Sequence, residues 1–173
     1  LLVGHLLQAS GLRCPVGGNL GVPALALLDS PADVYVLELS SFQLAHSAHL
    51  ALASAGVLNI TDDHRDWHGD LDSYRQAKER IYVKAEYSVG GRDCARSVSV
   101  RVDMSESGAN RWGVASLNEA QWLICDDMPL IAVSDLPLAG RHNVENCLWA
   151  MALVEPWIQP RRAAQLLGGF QGL

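Results

Sequence analysis

The 173-residue sequence predicts an α/β protein, a mostly parallel sheet flanked by helices with a small antiparallel β extension. Three observations carry that expectation. Residues 33–44, DVYVLELSSFQL, contain the apolar and partly β-branched run Val34, Tyr35, Val36, Leu37 and Leu39, the pattern of a strand covered on both faces in a parallel sheet. Residues 71–85 are rich in helix formers. Residues 86–133 break into the short runs YSV, VSVRV, WGV, WLIC and PLIAV between Gly, Asn, Ser and Asp, which predicts strands and hairpins at the edge of the main sheet.

Taken in order, residues 1–10 place Leu2, Val3, Leu6 and Leu7 at helical spacing, with Gly11 as the residue that ends the helix. Gly17-Gly18-Asn19-Leu20-Gly21 then leads into Pro23 and the run ALALL. This is a glycine-rich turn feeding a helix start, where Pro is favoured at the first position and free N–H groups suit an anion. It matches neither the dinucleotide fingerprint nor the Walker A pattern, so an ordinary tight turn is the competing reading.

Glu38 interrupts the strand near its C-terminal end. In open α/β sheets that edge faces ligands, and a carboxylate there is costly to bury without a cation. Glu38 is therefore either a metal ligand or general base, or a carboxylate already exposed at the strand mouth. Ser40 and Ser41 are placed to cap a helix or bond a phosphate, with Gln43 within reach of the same task. His46 and His49 share a helical face, but no third ligand lies nearby to make a metal site.

A second strand is expected over residues 55–60, opening into DDHRDWHGD. Asp62, Asp63, His64, Asp66, His68 and Asp70 put six potential ligands within nine residues. Oxygen-rich sets with an occasional imidazole suit Mg²⁺ or Mn²⁺; a solvated acidic loop is the alternative. The helix over 71–85 starts near Asp72 or Ser73, and Tyr74, Lys78 and Tyr82 fall on one of its faces. That setting either lowers the Lys78 pKa or lets its stem snorkel along the rings, and the residues alone favour snorkelling. Towards the end, Asn143 and Asn146 fall in the first turn of the helix NCLWAMALVEPW, where they cap it or present amides to a planar base. Pro156 and Pro160 stop that helix, and residues 161–167 form a last short one.

Composition narrows the function classes. A 49% hydrophobic content at this length fits one cored domain. A net charge of −6 and a pI near 5.4, with Lys and Arg scattered, argue against nucleic acid as a partner. No apolar run approaches the roughly 20 residues of a membrane span, and no leader pattern opens the sequence, so a cytoplasmic protein is expected. Cys14, Cys94, Cys125 and Cys147 form no C-x-x-C pair and read as reduced thiols.

Five stretches together carry a resemblance. GGNLGVPAL, VLELSSFQL, NITDDHRDWHG, YRQAKERIY and LAGRHNVENCLWAMAL resemble, in order and approximate spacing, the motifs of the Mur ligases, ATP-dependent amide-bond-forming enzymes of peptidoglycan precursor synthesis. SSFQL after Glu38 looks like the branch that adds D-glutamate. The resemblance implies a P-loop NTPase-like central domain over residues 1–173, ATP and two Mg²⁺ as cofactors, and UDP-N-acetylmuramoyl-L-alanine and D-glutamate as substrates of a monomer. It implies that Glu38 is the Mg²⁺-binding carboxylate, His64 the second metal-site residue, and Lys78 a lysine whose carbamylation supplies a further carboxylate, which reverses the snorkelling reading. Asn19, Ser40 and Gln43 resemble residues that hold metal, phosphate or the UDP-muramoyl substrate. Asn143 and Asn146, with His142 beside them, resemble asparagines near the adenine pocket.

The departures from the family pattern matter as much. No G-x-x-G-K-[ST] loop occurs in the sequence; the resemblance puts it before Leu1, and an amino-acid-binding C-terminal domain after Leu173. Trp67 stands where an Arg is usual, and Gly90-Gly91-Arg92-Asp93 replaces an N-x-D-D. A truncated domain, inactive by itself within an active longer enzyme, is therefore expected. The competing readings are a related ligase acting on folate or another muramoyl peptide, and a non-catalytic α/β binding module.

Overall fold

The computed structural model describes residues 1–48, 50–61, 64–104 and 111–170. The first half of the chain forms α1 (Leu2–Ala9), β1 (Val16–Gly18), a 3₁₀ segment (Ala24–Asp29), β2 (Val36–Glu38), α2 (Ser41–His46) and β3 (Leu52–Gly56). Next come α3 (Arg65–His68), α4 (Leu71–Glu79), β4 (Ala85–Gly91), β5 (Val100–Asp103), β6 (Trp112–Leu117), β7 (Ala120–Cys125) and β8 (Met128–Ala132), and then α5 (Arg141–Leu153) and α6 (Pro160–Leu167). β1 and β2 pair in parallel as a two-stranded sheet, while β3 to β8 form a six-stranded sheet in sequence order. Its pairs from β3 to β6 are parallel and those from β6 to β8 antiparallel, so the fold is the expected mostly parallel α/β class with an antiparallel extension.

The core follows from the second half of α5, which is apolar on every side: Cys147, Leu148, Trp149, Ala150, Met151 and Ala152 are all buried, as is Val144 one turn earlier. Such a helix must be enclosed, and α5 lies against β3, β4, β5 and β6 as well as α1 and α6. The Trp149 indole lies against the backbone of Gly56, where a Cβ would sit 3.0 Å from its Cζ3 atom. Just past α5, the Glu155 carboxylate accepts from the Tyr87 hydroxyl, from Trp112 Nε1 at 3.0 Å and from the Arg111 guanidinium. The carboxylate is nearly buried, and three donors satisfy it. Burial and this carboxylate both push the Tyr87 hydroxyl pKa up.

Several elements depart from expectation for local reasons. β2 is three residues long and pairs with β1 alone, and Tyr35 and Glu38 are exposed, so this strand is not covered on both faces. The run after Pro23 closes into a 3₁₀ segment rather than an α-helix. β3 spans Leu52–Gly56 instead of 55–60 because Val57 gives its N–H to the Tyr82 hydroxyl at 2.9 Å, not to a neighbouring strand. α4 is capped by Asp70, whose Oδ1 accepts the Ser73 N–H at 2.7 Å, and beyond Glu79 it tightens into a 3₁₀ turn through Tyr82. β4 and β5 belong to the parallel body, and only β6 to β8 form the edge extension. α5 begins at Arg141, because Gly140 at φ 101° turns the chain into the helix; Pro160 opens α6 rather than stopping α5. No helix among the described residues is long and apolar enough to cross a membrane.

Candidate functional site

β1 and β2 end side by side. Gly18 is the register partner of Glu38, and the Asn19 N–H donates to the Glu38 carbonyl at 2.7 Å. Gly18 has φ 119°, and a Cβ there would lie 2.2 Å from that carbonyl oxygen, so glycine is required for this approach. Asn19 and Glu38 thus meet at the carboxyl ends of two parallel strands, the edge where α/β sheets gather ligands. The Glu38 side chain is exposed there.

Two residues on, Ser40 starts α2 with a capping box: its Oγ accepts the Gln43 N–H at 3.2 Å, and Gln43 Oε1 accepts the Ser40 N–H at 2.9 Å. Ser40 and Gln43 are therefore joined, and their polar atoms already serve the helix start. Ser41, the next residue, is 3% exposed, and its Oγ lies 2.9 Å from His68 Nε2.

A group of rings follows. Phe42 packs against His64 with centroids 5.0 Å apart, against Trp67 at 4.9 Å and against His68 at 5.7 Å. Tyr74 on α4 touches His64 at 6.0 Å and His68 at 5.2 Å. Over the other part of the Tyr74 ring lies Lys78 Nζ, 4.9 Å from the centroid, which also donates to the Asn59 carbonyl at 3.0 Å. His64 has φ 55°, a left-handed conformation that an L-residue adopts at a cost on the order of 1 kcal/mol and that concentrates at functional sites.

The structure thus brings Asn19 to Glu38, Ser40 to Gln43, and His64 to Lys78 through Tyr74. Asn143 lies in the first turn of α5, where its Nδ2 donates to the Ala139 carbonyl at 2.7 Å. Among the described residues, neither Asn143 nor Asn146 hydrogen-bonds the Glu38, His64 or Lys78 side chain. His46 is exposed with its ring near Trp67, while His49, Asp62 and Asp63 lie outside the described residues. Of the acidic run, Asp70 is the cap of α4. No three His, Cys, Asp or Glu among the described residues form a group able to hold a metal ion. Phe42 and the Ser41–His68 pair escaped sequence reasoning, since their contacts span 27 residues in the pair's case and carry no local spacing signal.

A parallel sheet with a carboxylate and an asparagine at adjoining strand ends belongs to the class of α/β domains that gather ligand groups at that edge. The family is defined by comparison: residues 17–154 match the model of the Mur ligase middle domain, and the chain belongs to the Mur ligase family. It is 39% identical to the UDP-N-acetylmuramoylalanine--D-glutamate ligase of Vibrio atlanticus (strain LGP32), an alignment covering 99% of this chain and 40% of that protein. It is 41% identical to the ligase of the same name from Haemophilus influenzae (strain 86-028NP), over 89% of this chain and 37% of that one. The chain therefore spans about 40% of the length of the curated relatives it matches. Among solved structures it is similar to UDP-N-acetylmuramate:L-alanyl-gamma-D-glutamyl-meso-diaminopimelate ligase from Neisseria meningitides, with a TM-score of 0.72 and 18% identity over 99% of this chain and 62% of that one. MurF from Acinetobacter baumannii gives a TM-score of 0.71 and 18% identity over 99% of this chain and 43% of that one. These two likenesses show the shared fold.

Proposed function

We propose that residues 1–173 are the central, ATP-handling domain of a cytoplasmic, monomeric ligase that adds D-glutamate to UDP-N-acetylmuramoyl-L-alanine in peptidoglycan precursor synthesis. The observation that carries this reading is the placement of Glu38 and Asn19 at adjoining strand ends, with the His64–Tyr74–Lys78 array on the elements that follow. It occurs in a chain 39% identical to ligases named for that reaction.

The donor chemistry fits Mg²⁺ on one condition. Glu38 offers an exposed carboxylate and His64 an imidazole, but an unmodified Lys78 ammonium would oppose a cation. Carbamylation turns that amine into a carboxylate, which gives the hard oxygen donors that Mg²⁺ prefers. In this reading Glu38, His64 and carbamylated Lys78 hold the metal. Mg²⁺, when bound, would neutralise phosphate charge; the γ-phosphoryl group of ATP would pass to the substrate carboxylate with release of ADP, and the D-glutamate amine would then displace inorganic phosphate from that acyl phosphate to form the amide.

The chain's own residues position these groups. Asn19 offers its amide to phosphate or metal beside Glu38. Ser40 and Gln43 fix the start of α2, and so the spacing from Glu38 to Phe42, while facing the UDP-muramoyl substrate. Asn143 gives its Nδ2 to Ala139, which leaves Oδ1 to accept from an adenine amine, with Asn146 on the same helix. These 173 residues contain no G-x-x-G-K-[ST] loop, so in this reading they supply the metal and base side of the centre and not the loop that cradles the ATP phosphates.

Phosphate release by a full-length protein carrying these residues tests the reading, with ATP, Mg²⁺, UDP-N-acetylmuramoyl-L-alanine and one amino acid at a time. D-Glutamate is expected to give the signal. A response to a diamino acid, or to L-glutamate with a folate, would move the chain to another branch of ligases. Silence with every acceptor would support a non-catalytic binding module.

A further inference from the structure

Among the described residues, the rings of Phe42 and Tyr74 contact His64 and also contact His68. The His68 ring stacks on Phe42 at 20° and tilts against Tyr74. Its Nε2 reaches the hydroxyl of Ser41, a buried residue three positions after Glu38 in the first turn of α2. α3, which carries His68, is only four residues long and follows a residue at φ 55°. A helix so short has almost no stability of its own, so its place depends on side-chain tethers.

We propose that His68 is a positioning residue: its bond to Ser41 and its stacking on Phe42 and Tyr74 hold His64, and through Tyr74 also Lys78, in register with the β2–α2 junction that carries Glu38. The proposal rests on the reading of Glu38, His64 and Lys78 as the metal side of a ligase centre. Groups of this kind, which orient a ligand without touching the metal, typically change metal affinity by roughly 10- to 100-fold when removed. Stacking alone would keep the volume of the site; the polar contact to Ser41 is what fixes the orientation of the imidazole.

The test uses the full chain with labelled histidine, followed by NMR, with Mn²⁺ alone as the probe. In the wild type, Mn²⁺ is expected to broaden the His64 ring signal and spare His5 and His142, which lie on α1 and α5. Ser41→Ala removes one oxygen, and His68→Phe keeps a ring while losing the bond. Both are expected to shift the His64 signal and to raise the Mn²⁺ concentration for half-broadening roughly 10-fold, whereas His68→Gln, which keeps a donor for Ser41, stays near wild type. An unmoved His64 signal in both Ser41→Ala and His68→Phe overturns the proposal. So does a shift of His5 and His142 together with a lowered melting temperature, which would mark general loosening. Failure of Mn²⁺ to broaden His64 in the wild type would instead strike the metal-site reading, and the His64 shift would still decide the role of His68.

Discussion

At the scale of single residues, Lys78 makes the sharpest claim. Its amine sits over the Tyr74 ring and donates to the Asn59 carbonyl, a setting that holds Nζ in one place. In a full-length enzyme, Lys78→Ala is expected to lower D-glutamate-dependent phosphate release roughly 100-fold, the typical loss when one electrostatic group of a preorganised site is removed. Added bicarbonate should not restore the activity, whereas a small carboxylic acid should restore part of it; unchanged turnover in the variant would remove Lys78 from the site. Asp33 gives a second residue-level prediction. Hydrogen bonds from the Arg13 side chain and backbone hold its carboxyl at about 2, below the ordinary 3.8. The folded value is the lower one, so the contribution of this pair to stability is present above pH 3.8 and is lost as the pH falls towards 2. Asp33→Asn should therefore flatten acid unfolding within that window. A carboxyl NMR titration that places Asp33 at its ordinary value would contradict this. The pair is exposed, so added salt should weaken it.

At the scale of elements, the caps decide where the site residues fall. Asp70 accepts the Ser73 N–H and so sets the start of α4, which presents Tyr74 and Lys78 on one face. Asp70→Ala is expected to lower stability by about 1 kcal/mol in urea unfolding, the usual cost of losing an N-cap, with little change if solvent already satisfied that donor. Local chemistry made much of this legible in sequence: the apolar run before Glu38, the Ser40 cap and the Tyr74–Lys78 spacing all act within a few residues. What stayed hidden is nonlocal. The end of β3 is set by the Tyr82 hydroxyl, 25 residues away, which takes the Val57 N–H out of the ladder. β4 and β5 read as edge pieces because parallel register depends on partners that no local pattern names. Within the acidic run, spacing alone does not separate Asp70, which caps α4, or His68, which meets Ser41, from the other candidate ligands.

At the scale of the whole molecule, α5 and Glu155 tie the six-stranded sheet into one body. Trp149 is 2% exposed in the middle of the core, and Trp149→Ala is expected to cost about 3–5 kcal/mol, read as a large fall in the urea midpoint. Glu155 joins β4 and β6 by accepting from Tyr87, Trp112 and Arg111, so Glu155→Leu leaves three donors without their acceptor. A loss of about 1–3 kcal/mol follows, and a neutral result would mean that water replaces the carboxylate. The fold class was readable from the alternation of strand and helix patterns, and the family from five ordered motifs; the geometry of the site was not, because it is set by contacts among α2, α3 and α4. Glu38, at the end of β2, is the residue proposed to carry the metal side of a D-glutamate ligase. The most direct test is D-glutamate-dependent phosphate release by the full-length protein with Glu38→Gln, a change that keeps shape and removes the charge. A fall of roughly 100-fold or more, with a raised Mg²⁺ requirement, is the predicted result; turnover and Mg²⁺ dependence equal to the wild type would contradict it.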